Sequence, residues 1–433
     1  MPETTPPPAG GADTVAPQTS TTTTTANRPI IGTSATSDPT VDDRTIRPFE
    51  FKASNEDLAD LKRRIAATRW PEKETVSDDT QGVQLATIQK LASYWATDYD
   101  WRKVEAVLNS LPQFLTTIDG LDIHFIHVKS RHENALPVII THGWPGSIIE
   151  QLKLVGPLTD PTAHGGSAED AFDVIIPSMP GYGFSGKPET TGWGPERIAG
   201  AWDVLMKRLG YDRYVAQGGD WGAIIVDQMG VQAPEGLLGI HTNMACAIPA
   251  ELDAAAFTGA PAPDGLDEEE RRSFDHVAFF YKHGLGYALE MGNRPQTLYG
   301  IEDSPVGLAA WIIDHDIWTY RQIARLFDGE QLGLTRDDIV DNITLYWLTQ
   351  TGVSSARLYW ENKLPFFSPK GVKIPVAVSA FPEEICPAPK KWAEQAYPNL
   401  LFYRQHQEGA HFAAWEQPQA IIDDLREGFR SLR

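Results

Sequence analysis

Cysteine and long apolar runs are both scarce in this sequence, and each shortage excludes a class of protein. Two cysteines, Cys246 and Cys386, are too few for a disulfide framework, and neither belongs to the CxxC pair typical of a zinc site. No apolar run reaches the roughly 18 residues of a membrane span. The first basic residue is Arg28, so the start lacks the features of a signal peptide. We therefore expect a soluble, cytoplasmic protein without a membrane anchor or a metal.

Positive charge is also in short supply. The 433 residues include 37 lysines and arginines against 58 aspartates and glutamates, which gives a formal net charge of -21. Such a chain repels phosphate backbones and anionic membranes, so nucleic-acid binding is not expected. Apolar residues make up 42% of the chain, which is enough for a large hydrophobic core.

The N-terminal part of the chain divides into a leader and a helical segment. Residues 1–45 are rich in proline and threonine and hold almost no large side chains, so we expect a disordered leader. Ser54 and Asp57 have the spacing of a capping box, and an amphipathic helical pattern follows them. A second helical pattern covers residues 84–108. We interpret residues 46–113 as a helical meander that wraps a larger core.

From residue 114 the pattern becomes that of a sheet. Asp119-Gly120 lies between two β-rich runs and is a strong hairpin signal. Short apolar runs separated by helix-length segments then predict an α/β fold with a mostly parallel sheet and right-handed crossovers. Only helical patterns cover residues 248–365, which we interpret as a cap between two parts of the core, residues 114–247 and 366–433. The strands predicted after the hairpin are residues 136–141, 172–176, 213–217, 237–242, 374–379 and 400–403.

The segment Gly218-Gly219-Asp220-Trp221-Gly222 joins a predicted strand to a predicted helix. Small residues two positions before and two after Asp220 are what a sharp nucleophile elbow requires. A carboxylate at that position could attack carbon and form an ester, beside the positive end of the helix that begins at Trp221. The same residues could instead form a tight turn in which Asp220 only caps the helix.

A second motif, His142-Gly143-Trp144-Pro145, follows an earlier predicted strand. An HG-x-P loop at this point of an α/β sheet presents a backbone amide to an oxyanion. We expect the amides of Trp144 and Trp221 to form an oxyanion hole. A plain glycine and proline turn with a packed histidine is the alternative. Two such motifs in order, each at the carboxyl end of a strand, favour a ligand site.

The best-placed base among the eleven histidines is His411, in a loop after the last predicted strand. His124, His127 and His241 lie on strand patterns, where packing or solvent exposure is expected, whereas His276, His283 and His315 fall on predicted helical segments. An acid that orients the imidazole of His411 is expected after the strand at residues 374–379, where the chain offers Glu383 and Glu384. Adjacent side chains usually face apart, so only one of the two glutamates can fit.

These motifs give the chain its resemblance to the microsomal-type epoxide hydrolases of the α/β-hydrolase fold. The resemblance extends from about Arg47 to the end, and it implies a core with a helical cap and an enzyme that converts epoxides and water to vicinal diols. The motifs that carry it are RPFEFKASNEDLADLKRRIAATRWP, HGWPGS, SMPGYGFSGKP, GGDWG, DSPVGLAAWI, SAFPEEI and GAHFAAWEQP.

Carried over residue by residue, the resemblance implies a catalytic triad in which Asp220 is the nucleophile, His411 the base and Glu384 the acid. It also implies that Tyr287 in GYALEMGN and Tyr359 in SSARLYWEN donate to the epoxide oxygen. The stretch LEMGN departs from the more polar one usual after the first tyrosine, and this bears on substrate preference. A further departure is that the family's N-terminal membrane anchor is not seen.

The expected reaction needs an apolar epoxide and water, with no metal or organic cofactor. Asp220 would form a hydroxyalkyl ester that water, activated by His411, then hydrolyses. Two other classes stay open at this point. A haloalkane or haloacid dehalogenase uses the same Asp-Trp elbow, and a non-catalytic binding member of the fold would keep only the shape. The aromatic-rich meander could support a homodimer.

Overall fold

The computed structural model describes residues 44–433. The predicted disordered leader, residues 1–45, lies outside the described residues except for its last two. Within the described part, each helix is too short or too polar to cross a membrane.

One nine-stranded sheet forms the centre of the described residues. Its interior strands are continuous apolar runs, as expected for parallel strands covered on both faces; Val138, Ile139 and Ile140 are completely buried. The strands are β1 (Arg47–Pro48), β2 (Gln113–Ile118), β3 (Leu121–Val128), β4 (Leu136–Thr141), β5 (Phe172–Pro177), β6 (Tyr214–Gly218), β7 (Leu237–Thr242), β8 (Val376–Ala380) and β9 (Leu400–Gln405).

Helices flank the sheet and form a separate group between β7 and β8. All six strands predicted after the hairpin are found, within two residues of their predicted limits. The helices are α1 (Asn55–Ala66), α2 (Leu85–Thr97), α3 (Trp101–Ser110), α4 (Leu152–Thr159), α5 (Pro195–Arg208), α6 (Trp221–Gln232), α7 (Ala250–Thr258), α8 (Glu268–His283), α9 (Gly286–Asn293), α10 (Tyr299–Asp303), α11 (Pro305–Ile313), α12 (Ile317–Asp328), α13 (Arg336–Thr349), α14 (Gly352–Glu361), α15 (Lys390–Ala396), α16 (Ala413–Glu416) and α17 (Pro418–Gly428).

The strand order places the ends of β4 and β6 side by side. The order is β1-β2-β3-β5-β4-β6-β7-β8-β9; β1 to β3 are antiparallel, β3 pairs antiparallel with β5, and the remaining pairs are parallel. The chain leaves β4 in one direction to form β5 and returns on the other side to form β6. Ligands bind at such a switch point, outside the carboxyl ends of the strands. This architecture is the α/β-hydrolase fold.

The predicted hairpin joins β2 to β3. Asp119 and Gly120 both have positive φ, 51° and 79°, as a two-residue turn with the twist of the flanking strands requires. The pairing of Ile118 with Leu121 closes the turn. The hairpin signal in the sequence is therefore confirmed.

The helical meander differs from its prediction in one respect. The first helix begins as expected, because the hydroxyl of Ser54 accepts from the amide of Asp57. The second pattern, residues 84–108, is not one helix but two, α2 and α3. The break occurs because Asp100 caps the second helix, its carboxylate accepting from the amide of Arg102.

The meander packs against the helices between β7 and β8, which occupy the predicted cap, residues 248–365. Three of the hydrogen bonds that join the two segments come from aromatic side chains of the meander. The indole of Trp95 donates to Thr344 at 2.9 Å, and the hydroxyls of Tyr94 and Tyr99 each donate at 2.6 Å to an aspartate of α13. The aromatic side chains of the meander thus hold the cap from outside. The limits of meander, core and cap remain our interpretation, since the segments share one hydrophobic core.

We predict that Glu105 is a main stabilising residue of the meander. Its buried carboxylate accepts from the amide of Ala53 at 2.7 Å and from the indole of Trp101 at 3.1 Å. Glu105→Ala leaves both buried donors without an acceptor, so the free energy of unfolding should fall by about 2–4 kcal/mol in urea denaturation. The exposed Glu189 is the control, and Glu189→Ala should change stability by about 0.5 kcal/mol or less. Equal effects of the two substitutions would contradict the prediction.

Candidate active site

The site is built around Asp220, which lies at the sharp turn between β6 and α6. Asp220 is 3% exposed and has φ 50°, a left-handed conformation that is costly for any residue except glycine. A Cβ at Gly222 would lie 2.0 Å from the carbonyl oxygen of Thr141, so the turn leaves no room for a side chain there. Helix α6 is buried on nearly all sides and fixes the turn in place. The structure therefore has the predicted elbow.

The loop after β4 supplies a backbone donor to Asp220. The amide of Trp144 donates to Oδ1 of Asp220 at 2.7 Å. This approach depends on Gly143, where a Cβ would lie 2.3 Å from the same Oδ1. The second predicted oxyanion donor, Trp221, is the first residue of α6, where amides have no acceptor within the helix. Both predicted donors are thus at the strand ends that flank the switch point.

The side chain of His411 lies between two carboxylates. Its Nε2 is 3.2 Å from Oδ2 of Asp220, and its Nδ1 is 2.6 Å from Oε1 of Glu384. Both partners are buried, and His411 is 2% exposed. Glu383 is exposed and does not contact the imidazole in the hydrogen bonds of the described residues. The structure thus brings together Asp220, His411 and Glu384, the three residues predicted for the triad.

The backbone around His411 is held by a buried carboxylate that we did not predict. Glu416 accepts from the amide of Ala410 at 3.1 Å and from the amide of Phe412 at 3.2 Å. Burial raises the pKa of Glu416 to about 7. One side chain therefore fixes the residues on both sides of the imidazole. The only signal in the sequence was its position in GAHFAAWEQP.

Charge pairing dominates the electrostatics of the site. Burial lowers the pKa of His411, but the carboxylates of Glu384 and Asp220 outweigh burial and raise it well above its ordinary value. Burial likewise raises the pKa of Asp220, but the hydrogen bond and charge of His411 outweigh this and lower it. Near neutral pH, Asp220 is therefore anionic and His411 protonated.

Two tyrosines from the cap face this group. Tyr287 lies on α9 and Tyr359 on α14, with ring centroids 5.8 Å apart. Each ring packs against the indole of Trp144, at 5.0 Å and 5.9 Å respectively. The hydroxyl of Tyr359 is buried and has no hydrogen-bond partner within residues 44–433. Burial raises the pKa of both phenols well above the ordinary value, so both stay protonated.

An apolar cavity of about 500 Å³ opens onto the two tyrosines. Tyr287, Tyr359 and Trp221, which directly follows Asp220, are among the residues that line the cavity. Its other walls come from the cap and from the segment that follows it. The large apolar residues among them are Phe257, Phe280, Leu285, Leu289, Phe366 and Phe367. The arrangement suits an apolar ligand that presents one polar atom to the phenols.

The prediction for His315 was wrong. The helical pattern placed it inside a helix, but it lies in the bend between α11 and α12, facing the site. Its ring stacks on that of His411 with centroids 4.8 Å apart, and its Nε2 is 3.9 Å from Oδ2 of Asp220. Nothing in the local sequence marked His315, because the bend brings it into the site only through the packing of the cap.

Asp220, His315 and His411 also form the one group in the described residues with the spacing of metal ligands. One atom of each lies within 4.8 Å of the others. The two imidazole rings are nearly parallel, at 23°, so their nitrogen lone pairs do not converge on one ion as tetrahedral coordination requires. The short contacts of His411 are those of a charged acid–base pair. We therefore interpret these three residues as an acid–base site and not as a metal site.

Comparison with known protein families gives two matches that together cover most of the described chain. The family described as epoxide hydrolase N terminus matches residues 46–151, which include the meander and the loop after β4. The family described as alpha/beta hydrolase fold matches residues 137–295, which include the elbow.

Individual relatives match over nearly the whole chain. A predicted epoxide hydrolase of Stigmatella aurantiaca is 51% identical over 90% of this chain and 86% of its own length. Epoxide hydrolase 1 of Oryctolagus cuniculus is 37% identical over 89% of each chain. Among solved structures, the juvenile hormone epoxide hydrolase of the silkworm Bombyx mori has a TM-score of 0.78 and 29% identity, covering 90% of this chain and 96% of that one.

The contrast between Glu384 and Glu383 gives a direct prediction. Glu384→Gln removes the charge next to Nδ1 of His411, so the pKa of His411 should fall by about 1 or more. Glu383→Gln, one residue away on an exposed side chain, should leave it unchanged. NMR titration of protein with isotope-labelled histidine measures both values. A fall in both variants, or in neither, would contradict the contact between Glu384 and His411.

Proposed function

This chain belongs to the epoxide hydrolase family, and we propose that it opens its epoxide through a covalent ester on Asp220. Family membership shows that the chain is an enzyme that hydrolyses epoxides. One observation carries the mechanism: the carboxylate of Asp220 lies between a backbone donor and the imidazole of His411, near two cap phenols that line an apolar cavity.

In the first step, Oδ2 of Asp220 attacks a carbon of the epoxide. The C–O bond of the ring breaks, and its electron pair stays on oxygen as an alkoxide. The phenols of Tyr287 and Tyr359 donate to this oxygen, and one supplies its proton. Such general acid assistance is worth about 10²–10⁴ in rate. The product of this step is a hydroxyalkyl ester of Asp220.

In the second step, water attacks the carbonyl carbon of the ester. His411 takes the proton of the water, and the new oxyanion is stabilised by the amides of Trp144 and Trp221. One such donor contributes about 2.7–4 kcal/mol to a transition state of this kind. The intermediate then collapses, the bond to the diol oxygen breaks, and the imidazolium returns a proton to that oxygen. The second proton of the water then passes from the carboxyl group to His411, which restores Asp220 as a carboxylate and His411 as an imidazolium.

The change of charge at Asp220 explains how His411 can serve as a base. While Asp220 is anionic, it helps to keep His411 protonated. Ester formation removes that negative charge, so the pKa of His411 falls and the ring can give up its proton, which restores through solvent the phenol deprotonated in the first step. Glu384 remains hydrogen bonded to Nδ1, which leaves Nε2 to face the water. In the proposed mechanism, His411 can therefore act as a base only after the ester has formed.

The lining of the cavity supports an apolar substrate class. It is mostly aliphatic and aromatic and includes the two phenols, which fits an apolar substrate bearing a single epoxide. The homodimer and the cytoplasmic location stay predictions from the sequence.

The first prediction from the proposed mechanism distinguishes an epoxide hydrolase from the dehalogenase alternative. Purified enzyme should convert styrene oxide or a comparable apolar epoxide to its diol, because paired phenols suit an alkoxide leaving group. It should release no halide from brominated or chlorinated alkanes of similar size. Chromatography of the diol and a halide assay measure the two reactions side by side. Halide release faster than diol formation would favour the dehalogenase.

The second prediction concerns the tyrosines. Tyr287→Phe and Tyr359→Phe should each slow ester formation by about tenfold or more, and the double variant by about 10²–10⁴, because the alkoxide loses its donors. Stopped-flow tryptophan fluorescence measures the step, since Trp144 and Trp221 adjoin the nucleophile. Tyr299→Phe is the control, as Tyr299 is 67% exposed. Unchanged ester formation in the double variant would show that the acid lies elsewhere in the cap.

The third prediction is that low pH slows hydrolysis of the ester more than it slows its formation. Asp220 keeps its charge at low pH because its pKa is lowered, whereas ester hydrolysis needs neutral His411 and so slows as pH falls. The ester should therefore accumulate at about pH 5 and not at about pH 8. Rapid quenching followed by mass spectrometry of the Asp220 peptide measures the ester. Ester levels that do not depend on pH would contradict the role of His411.

A further inference from the structure

A second imidazole faces the nucleophile and has no role in the mechanism above. His315 is 1% exposed, and its Nε2 lies 3.9 Å from Oδ2 of Asp220, the same oxygen that contacts His411 at 3.2 Å. A separation of 3.9 Å is too long for a direct hydrogen bond. It is short enough for one water molecule to hydrogen bond to both atoms.

The ring of His315 is oriented in the same way as that of His411. Its Nδ1 is 3.0 Å from Oδ2 of Asp316, while Oδ1 of Asp316 accepts from the amide of Thr319 at 2.8 Å and so caps α12. Asp316 is therefore fixed at both oxygens. Burial raises the pKa of Asp316, but the hydrogen bond from His315 and other favourable contacts outweigh burial and lower it. Because Asp316 is on the Nδ1 side of the ring, Nε2 is the nitrogen of His315 that faces Asp220.

Packing alone does not account for this arrangement. The ring of His315 contacts Tyr287 at 4.9 Å and Trp144 at 5.9 Å, and any flat side chain could fill that space. Its Nε2, however, is buried and has no hydrogen-bond partner within residues 44–433. A buried polar atom without a partner is costly, so its persistence beside the nucleophile points to a polar group that binds during the reaction.

We propose that His315, held by Asp316, is a second catalytic base that binds the water molecule which hydrolyses the ester. The proposal rests on the ester of Asp220. The oxygen of the water forms a bond to the ester carbonyl carbon, and its proton passes to Nε2 of His411 or His315. When the ester bond breaks, that imidazolium gives a proton to the diol oxygen. No further reactant is needed.

The two bases come from different parts of the fold. Glu384 and His411 follow strands of the core, whereas His315 and Asp316 belong to the cap between α11 and α12. The cap thus provides a base for the second step as well as the acid for the first. Loss of His411 should therefore leave slow but measurable hydrolysis of the ester.

Single-turnover kinetics of His315→Gln test the proposal. Ester formation should stay within about twofold of the unmodified enzyme, and ester hydrolysis should slow by about tenfold, less than the 10²–10⁴ of a sole base. In the His411→Gln background, adding His315→Gln should slow the residual hydrolysis by about tenfold again. Ester formation in each variant also reports that the protein is folded.

Two further variants separate catalysis from packing. His315→Phe keeps a flat ring against His411 and Tyr287 but has no nitrogen, so hydrolysis should slow as much as in His315→Gln. His124→Gln is the matched control, since His124 is equally buried but hydrogen bonds to Ser178 and Gln113 away from the elbow. It should leave both steps unchanged.

Each outcome has a defined meaning. Hydrolysis that is normal in His315→Phe, or no slower in the double variant than in His411→Gln, would overturn the role of His315 while leaving the ester mechanism intact. Absence of any ester in the enzyme and in His411→Gln would overturn the mechanism on Asp220, and the role of His315 would fall with it. Slower hydrolysis in both His315 variants, with normal ester formation, supports the proposal.

Discussion

The site depends on one constraint, the left-handed backbone of Asp220 at the turn between β6 and α6. A non-glycine residue at φ 50° needs support from its surroundings. The support comes from the buried helix α6, from the close contact of Gly222 with β4, and from the amide of Trp144 on the carboxylate. Together these place one carboxylate oxygen against a backbone donor and the other against the imidazole of His411.

The arrangement of charge around Oδ2 of Asp220 is the second feature of the site. A buried carboxylate is stable only when it is paired, and the partner of a nucleophile must not prevent it from reacting. In the proposed mechanism His411 meets both requirements, because it offsets the charge of Asp220 before reaction and becomes a base once the ester has formed. On this proposal the core supplies the nucleophile, the acid and one base, and the cap supplies the phenols for the leaving oxygen and the second base. The meander holds the cap in place through Trp95, Tyr94 and Tyr99.

Local sequence predicts those parts of the site that depend on local geometry. Asp220 and Trp144 follow strands at the switch point, so the small residues around them were sufficient signals. Tyr287 and Tyr359 came only from family resemblance, since nothing in a helical pattern says which face meets the core. Between Glu383 and Glu384 the residues alone gave no choice. His315 was missed because a bend interrupts the helical period, and that bend is set by tertiary packing.

The most direct test of the account is the fate of oxygen from water in a single turnover. With enzyme in excess over an apolar epoxide in ¹⁸O-labelled water, the ester mechanism predicts an unlabelled first diol, because its new oxygen comes from Asp220. The label should appear in the carboxylate of Asp220, where mass spectrometry of the peptide detects it. Label in the first diol with none in Asp220 would show that water attacks the epoxide directly and would contradict the account.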